Sequence, residues 1–140
     1  MWEAYKCIAK RYPKISLAEE RQLILKAQKG SKKSREELVL RHISFLMFRI
    51  HKKAFPNLIR RYGEDLLSEA VLILYNKVDS YDLEYVDAGG NPHPVKFATY
   101  LWKRIDGFIV DYLRREIKES SKYQFNDSLM KQESISQGLE

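Results

Sequence analysis

Between residues 97 and 112 the apolar side chains Phe97, Leu101, Ile105, Phe108 and Tyr112 recur every three or four positions, with Ile109 beside them. At about 100° per residue they fall on a single stripe, which demands an α-helix with one buried face. The stripe is core on this reading, and Trp102 at its border is expected to join it. The rest of the segment FATYLWKRIDGF and its continuation carries the opposite chemistry. Tyr100, Lys103, Arg104, Gly107, Arg114 and Lys118 gather on the outward face, with Asp106 and Asp111 toward its edges. A chain built round such a helix needs partner helices over the stripe and leaves a basic, partly aromatic face outside.

Those partners are legible in the punctuation. Ser16-Leu17-Ala18-Glu19 has capping-box spacing, and the helical pattern after it stops at Lys29-Gly30, a basic residue followed by a glycine. Ser34-Arg35-Glu36-Glu37 offers a second capping box, opening a long run through Leu38, Val39, Leu46, Met47 and Ile50 toward Ala54, before Pro56. A third helix is expected from Glu64 or Asp65 to about Val78, and the striped helix from Lys96 or Phe97 to about Lys118. Between these two, SYDLEYVDAGGNPHP, with two glycines and two prolines, reads as a loop. From Glu119 the periodicity fades, so residues 119–140 are expected as a polar tail behind a helical domain of residues 1–118. With no internal repeat and no credible strand pair, the expected fold is all-α, a compact bundle of about four main helices.

Charge narrows the class of partner. The chain has 140 residues, enough for one domain with a real core, and a formal charge of +6 with a pI near 9.3. That balance favours a polyanion, nucleic acid first. Cys7 is the single cysteine, so no disulfide framework or thiolate metal cluster is expected and a reducing cytoplasm is the natural home. The start MWEAYKCIAKRYPK lacks a signal-peptide core, and runs such as FLMF and VLILY are too short to span a bilayer, so no membrane partner is expected.

Catalysis finds no foothold in the pattern. His42, His51 and His93 are scattered without ligand spacing, and Gly89-Gly90 precedes neither a lysine nor a helix start. Asp82, Glu84 and Asp87 lack the alternation and the closing glutamate of a calcium loop. The chain is expected to be no enzyme and to use no cofactor or metal.

Two faces then carry the functional expectation. On the striped helix, Tyr100 offers a stacking surface and the cations a path for phosphates. Gly107 costs about 1 kcal/mol against alanine in mid-helix, so it needs a reason, such as close approach of another backbone. The plainer account is a solvated cationic face with an incidental tyrosine and a glycine that eases helix packing, and both accounts stay open. On the third helix Leu67, Ala70, Val71, Leu74 and Val78 form the buried stripe. Asp65, Glu69, Leu72, Tyr75 and Asn76 lie opposite. Two acids one turn apart beside an apolar and an aromatic residue suit docking to a basic amphipathic protein helix. The alternative is acids favouring the helix dipole, with the apolar residues covered by the second helix or the tail.

At these residues the chain resembles bacterial sigma factors of the sigma-seventy family. VKFATYLWKRIDGFIVDYLRRE is similar to the family's promoter-melting and recognition helix, F-x-T-Y followed by R-I-x-G-x-I-x-D-x-L-R, matched at Phe97, Thr99, Tyr100, Arg104, Ile105, Gly107, Ile109, Asp111, Leu113 and Arg114. EDLLSEAVLILYNKVDSYD is similar to the family segment that binds the clamp helices of the largest polymerase subunit. LAEERQLILKAQKGSKKSREELVLRH looks like the segment that precedes it. Together these cover most of residues 15–115 in the family's order.

The resemblance implies a fold like the family's second region and a role in transcription initiation, with core RNA polymerase and promoter DNA as partners. Asp65 and Glu69 match the clamp-binding acids, with Leu72 and Tyr75 beside them. Tyr100 matches the aromatic that stacks on a base flipped from the nontemplate strand of the minus-ten element. Phe97 and Thr99 support that pocket, and Lys96, Lys103, Arg104, Gly107, Arg114 and Lys118 complete the DNA-binding set. The departures are specific. Lys103 and Arg104 stand where housekeeping members have a tryptophan pair, as in a weaker or flagellar-type melting wedge. Gly107 stands where housekeeping members have a base-reading glutamine, Ala70 and Val71 replace a glycine and a polar residue in the clamp segment, and the loop YVDAGGNPHP is longer than usual.

None of the 140 residues resembles the family's helix-turn-helix domain for the minus-thirty-five element, and no such domain is expected. A naturally short factor of the kind phages use for late genes is the expectation. A split factor whose partner supplies the upstream contact, or a truncated chain, are the alternatives. An anti-sigma factor is a further candidate partner. The rival reading is an interaction protein that occupies the polymerase clamp and blocks or retunes initiation without reading DNA.

Overall fold

Hydroxyls and one proline set the helix starts. In the computed structural model, which describes residues 2–123, Ser16 Oγ accepts from the Glu19 amide at 3.1 Å while the Glu19 carboxylate reaches back to the Ser16 amide. This reciprocal cap opens α2 (Leu17–Gln28), which follows a short α1 (Glu3–Arg11). Gly30, at φ 104°, ends α2 in a conformation that suits glycine. Ser31 then caps α3 (Lys32–Leu40) by accepting from the Ser34 amide at 3.2 Å. The cap lies one turn ahead of the expected Ser34, which is buried inside the helix instead.

The long second helix expected from the periodicity is two helices. α3 ends at Leu40 and α4 (Ile43–Lys53) begins after a tight kink at Arg41 and His42. No glycine or proline marks the break. The His42 amide turns to the Val39 carbonyl, and His42 Nδ1 lies 2.7 Å from the Leu38 carbonyl oxygen. Pro56 opens α5 (Pro56–Lys77), a full two turns before the expected Glu64, since proline at the first helical position forfeits no hydrogen bond. A 3₁₀ turn, Val78–Ser80, closes it. The segment between it and α6 (Phe97–Tyr123) is the expected loop, folded into a small turn. There Asp87 Oδ1 accepts from the Gly89 and Asn91 amides, and Gly90 takes φ 80°.

The fold is all-α, six helices with no strand among the described residues. α4, α5 and α6 pack on one another, and the α2–α3 pair covers α5 and the 3₁₀ turn. α6 continues past Lys118 to Tyr123, so its helix overruns the expected start of the tail at Glu119. The remainder of that tail lies outside the described residues. The stripe residues Phe97, Leu101, Ile105, Ile109 and Tyr112 are buried as expected, in one core with Leu46 and Ile50 of α4 and Leu66, Leu67, Ala70 and Leu74 of α5, whereas Phe108, expected in the same stripe, is only half-buried at its edge. α1, absent from the sequence expectation, packs on α4. Its Trp2 reaches the bare backbone of Gly63, where an added Cβ would stand 3.0 Å from the indole.

α6 is positioned from its first residue. Glu20 of α2, only 4% exposed, accepts the Phe97 amide at 2.6 Å, and its other oxygen lies 3.4 Å from His42 Nε2. A carboxylate at a helix N-terminus meets both an orphan N–H and the positive end of the helix dipole. Burial by itself would raise this carboxyl. The His42 hydrogen bond, the Phe97 amide and the positive fields of His42 and Lys96 outweigh it and hold the group below the usual carboxylate range.

Candidate nucleic-acid interface and docking face

Tyr100 is the central residue of the outward face of α6. Its surface is 39% exposed, and the ring is braced rather than loose. Phe97, fully buried, stacks behind it at 6.2 Å and 21°, and Tyr81 meets it edge-on at 5.4 Å. The phenol donates to the Ser80 carbonyl at 3.1 Å and lies 2.8 Å from Ser80 Oγ. Phe97 therefore supports the Tyr100 ring from inside and presents no surface to a ligand. The Tyr81 phenol, pushed upward mainly by its own burial, donates to the Val95 carbonyl and anchors the loop beneath this cluster.

Thr99, Lys103, Arg104, Gly107 and Lys118 are exposed along the same helix, and Arg114 is half-buried. Lys96, also exposed, lies at its start with Nζ donating to the Ile15 carbonyl at 3.1 Å. Gly107 has nothing within 4 Å of where a Cβ would stand, so helix packing does not explain it. It opens a shallow groove of mixed charge, bordered by Lys53 and Arg114, by Asp106 and Asp111, and by Val110.

Two further expectations on α6, those for Trp102 and Asp106, are corrected. Trp102 is 38% exposed and not core, and the guanidinium of Arg49 lies 5.4 Å from its ring centre. Asp106 is 6% exposed rather than at the rim of the basic face. It takes both Nε and Nη2 of Arg49, the first at 2.8 Å, and this hydrogen bonding raises the Arg49 guanidinium further above its ordinary range. Helical spacing places Asp106 near the border, and only the arrival of Arg49 from α4 decides that it is buried.

The α5 face is separate. Asp65, Glu69 and Asn76 are exposed, and Leu72 is 61% exposed, so no helix among the described residues covers it. Tyr75 is half-buried beneath Arg35 of α3, whose guanidinium lies 5.1 Å from the ring and donates to the Tyr75 carbonyl at 2.8 Å. The open part of the face is thus Asp65, Glu69, Leu72 and Asn76. Val71, expected in the buried stripe, is only half-buried, and Leu66 is fully buried in its stead. The acids are felt across the bundle: burial first, then Glu116, Asp65 and Glu69, push the Tyr112 phenol up to about 12. Glu116 of α6 thereby extends the acidic side, an addition that its distance in sequence conceals.

Among the described residues no group of histidine, cysteine or carboxylate side chains could hold a metal, and no helix is long and apolar enough to cross a membrane. No protein-family model, curated protein or solved structure matches the chain.

Proposed function

We propose that this chain is a sigma-like transcription initiation factor. It docks on core RNA polymerase through Asp65, Glu69 and Leu72 of α5, and it opens promoter DNA by capturing a nontemplate-strand base on Tyr100 of α6. The observation that carries the reading is the state of Tyr100. An aromatic ring on a helix bearing Lys103 and Arg104 is held half out of the protein by Phe97, Tyr81 and Ser80, so little freedom is lost when a base stacks on it. The resemblance of residues 15–115 to the sigma-seventy family supports the same assignment, and the separation of a basic α6 face from an acidic α5 face supplies one surface for each partner.

The energetics are modest and consistent. Extruding a base costs a few kcal/mol, and stacking it on one aromatic ring returns about 1–3 kcal/mol. The balance comes from phosphate contacts along Lys96, Lys103 and Arg104 and from polymerase, which holds factor and DNA together. No bond in the DNA is made or broken. Gly107 offers no side chain to a base edge, so sequence reading on this helix rests on its neighbours.

The test is to add the chain to core polymerase, supply promoter-bearing DNA and sequence the starts of the RNA formed. Promoter-directed RNA is the expected outcome. Asp65→Lys should abolish both polymerase binding and RNA, whereas Tyr100→Ala should keep binding and lose most opening. A chain that displaces the resident factor and yields no RNA is a clamp-binding blocker, and that result overturns the initiation reading.

A further inference from the structure

Phe48 and Trp102 stand apart from the aromatic residues that build the core. They are 54% and 38% exposed, on α4 and α6, and both rings close on one guanidinium. Arg49 Cζ lies 5.7 Å from the Phe48 ring centre and 5.4 Å from that of Trp102. Arg49 is fixed, because both oxygens of the buried Asp106 hold it. The seam between the two helices therefore has a rigid cationic floor with an exposed aromatic ring on each side. Over these rings lie two exposed lysines, Lys52 Nζ at 5.7 Å from Phe48 and Lys103 Nζ at 5.6 Å from Trp102.

We propose that this seam is a second stacking platform for single-stranded nucleic acid, distinct from the Tyr100 ring. The inference takes its ligand class from the nucleic-acid reading of α6 and its location from the seam's own geometry. Charge complementarity selects the occupant. The Arg49 charge is matched by Asp106, whereas Lys52 and Lys103 meet rings and, among the described residues, no carboxylate. A nucleotide brings both missing groups, a flat base and a phosphate. The base takes the place of the ammonium over the ring, and the ammonium moves to the phosphate. Exposed cation–ring contacts are weak beside base stacking, so the exchange favours the nucleotide.

Position links the platform to a strand and not to an isolated base. Tyr100 is tied to Ser80 on one flank of α6, and Trp102 meets α4 on the other. Two residues apart in a helix, they point about 160° apart across the exposed side, with Thr99 and Lys103 in the arc between. A single strand crossing the exposed arc of α6 places one base on Tyr100 and a later one on the Trp102–Phe48 side.

Indole fluorescence tests this without polymerase. Trp2 is 3% exposed and out of reach of a base, so quenching by a short single-stranded oligodeoxythymidylate reports Trp102. The unaltered chain and Tyr100→Ala should both be quenched on binding, and the matching duplex should bind more weakly. Trp102→Phe should abolish the quench and keep affinity, followed by anisotropy of a labelled oligonucleotide, within about threefold. The pair Trp102→Ala and Phe48→Ala should weaken binding roughly tenfold or more, with a thermal melt confirming that these exposed changes leave the fold intact. An unquenched indole at saturation, unchanged affinity of the double variant, or capture of an acidic helical peptide in preference to the oligonucleotide overturns the platform. Quenching without promoter-directed RNA overturns the initiation reading alone. Promoter-directed RNA without quenching overturns the platform alone.

Discussion

Gly107 separates stability from function more cleanly than any other residue on α6. It sits in the helix interior at a cost of about 1 kcal/mol relative to alanine, and the space above it is open to 4 Å. Gly107→Ala should therefore raise the unfolding free energy by up to about 1 kcal/mol, measured by denaturant melts. If bare backbone is kept there for DNA to approach, the same change should lower promoter opening severalfold. A variant that is more stable and equally active would remove Gly107 from the interface. Tyr100 was legible because helical periodicity alone puts it outside the stripe. Trp102 and Asp106 were not, since at a stripe's border burial is decided by the neighbour that arrives, here Arg49.

The element most dependent on tertiary contact is the start of α6. Glu20 replaces a local cap, accepting the Phe97 amide from another helix. Glu20→Gln keeps an acceptor for the Phe97 amide and removes the charge, so it should cost about 1–2 kcal/mol at pH 7, the upper range for a partly buried charge at a helix terminus. The pH dependence has a defined sign. The folded carboxyl titrates below its ordinary 4.5, so its contribution is fully present above about pH 4.5 and is lost as pH falls through the lower folded value. Melts of the two proteins should therefore differ at pH 7 and converge on acidification. A gap that stays constant down to pH 3 would count against the cap. The break between α3 and α4 has the same origin. Nothing in RHISFLMF ends a helix, and the kink at His42 brings its ring to the Leu38 carbonyl and Glu20.

At the scale of the whole molecule, the Tyr100–Lys103–Arg104 side of α6 gathers cations, with Lys52 nearby on α4, and Asp65 and Glu69 gather on the exposed side of α5, where Arg60 and Arg61 are exposed as well. The basic side predicts strongly salt-dependent binding. For single strands each neutralised phosphate contributes about −0.7 to the slope of log affinity against log salt, so three or four contacts give roughly −2 to −3. Lys103→Ala with Arg104→Ala should reduce that slope by roughly 1.4 in a titration of oligonucleotide binding. A slope unchanged by the pair would place the phosphates elsewhere. Asp65→Lys lies on the other face and should leave this slope nearly untouched.

Periodicity and caps were enough to dictate an all-α chain, most of the buried stripe of α6, the start of α2 at Ser16 and the exposure of Tyr100, Lys103 and Arg104 on α6 and of Asp65 and Glu69 on α5. These follow from local rules, in which spacing of 3.6 residues and a hydroxyl before a helix act without knowledge of the rest of the chain. The α3–α4 kink, the α6 cap, the burial of Asp106 and the exposure of Phe48 and Trp102 came only with tertiary packing. Each depends on groups far apart in sequence meeting in space, Glu20 with Phe97 and Arg49 with Asp106. A buried charge is tolerated only where its partner arrives, and no local pattern announces that arrival.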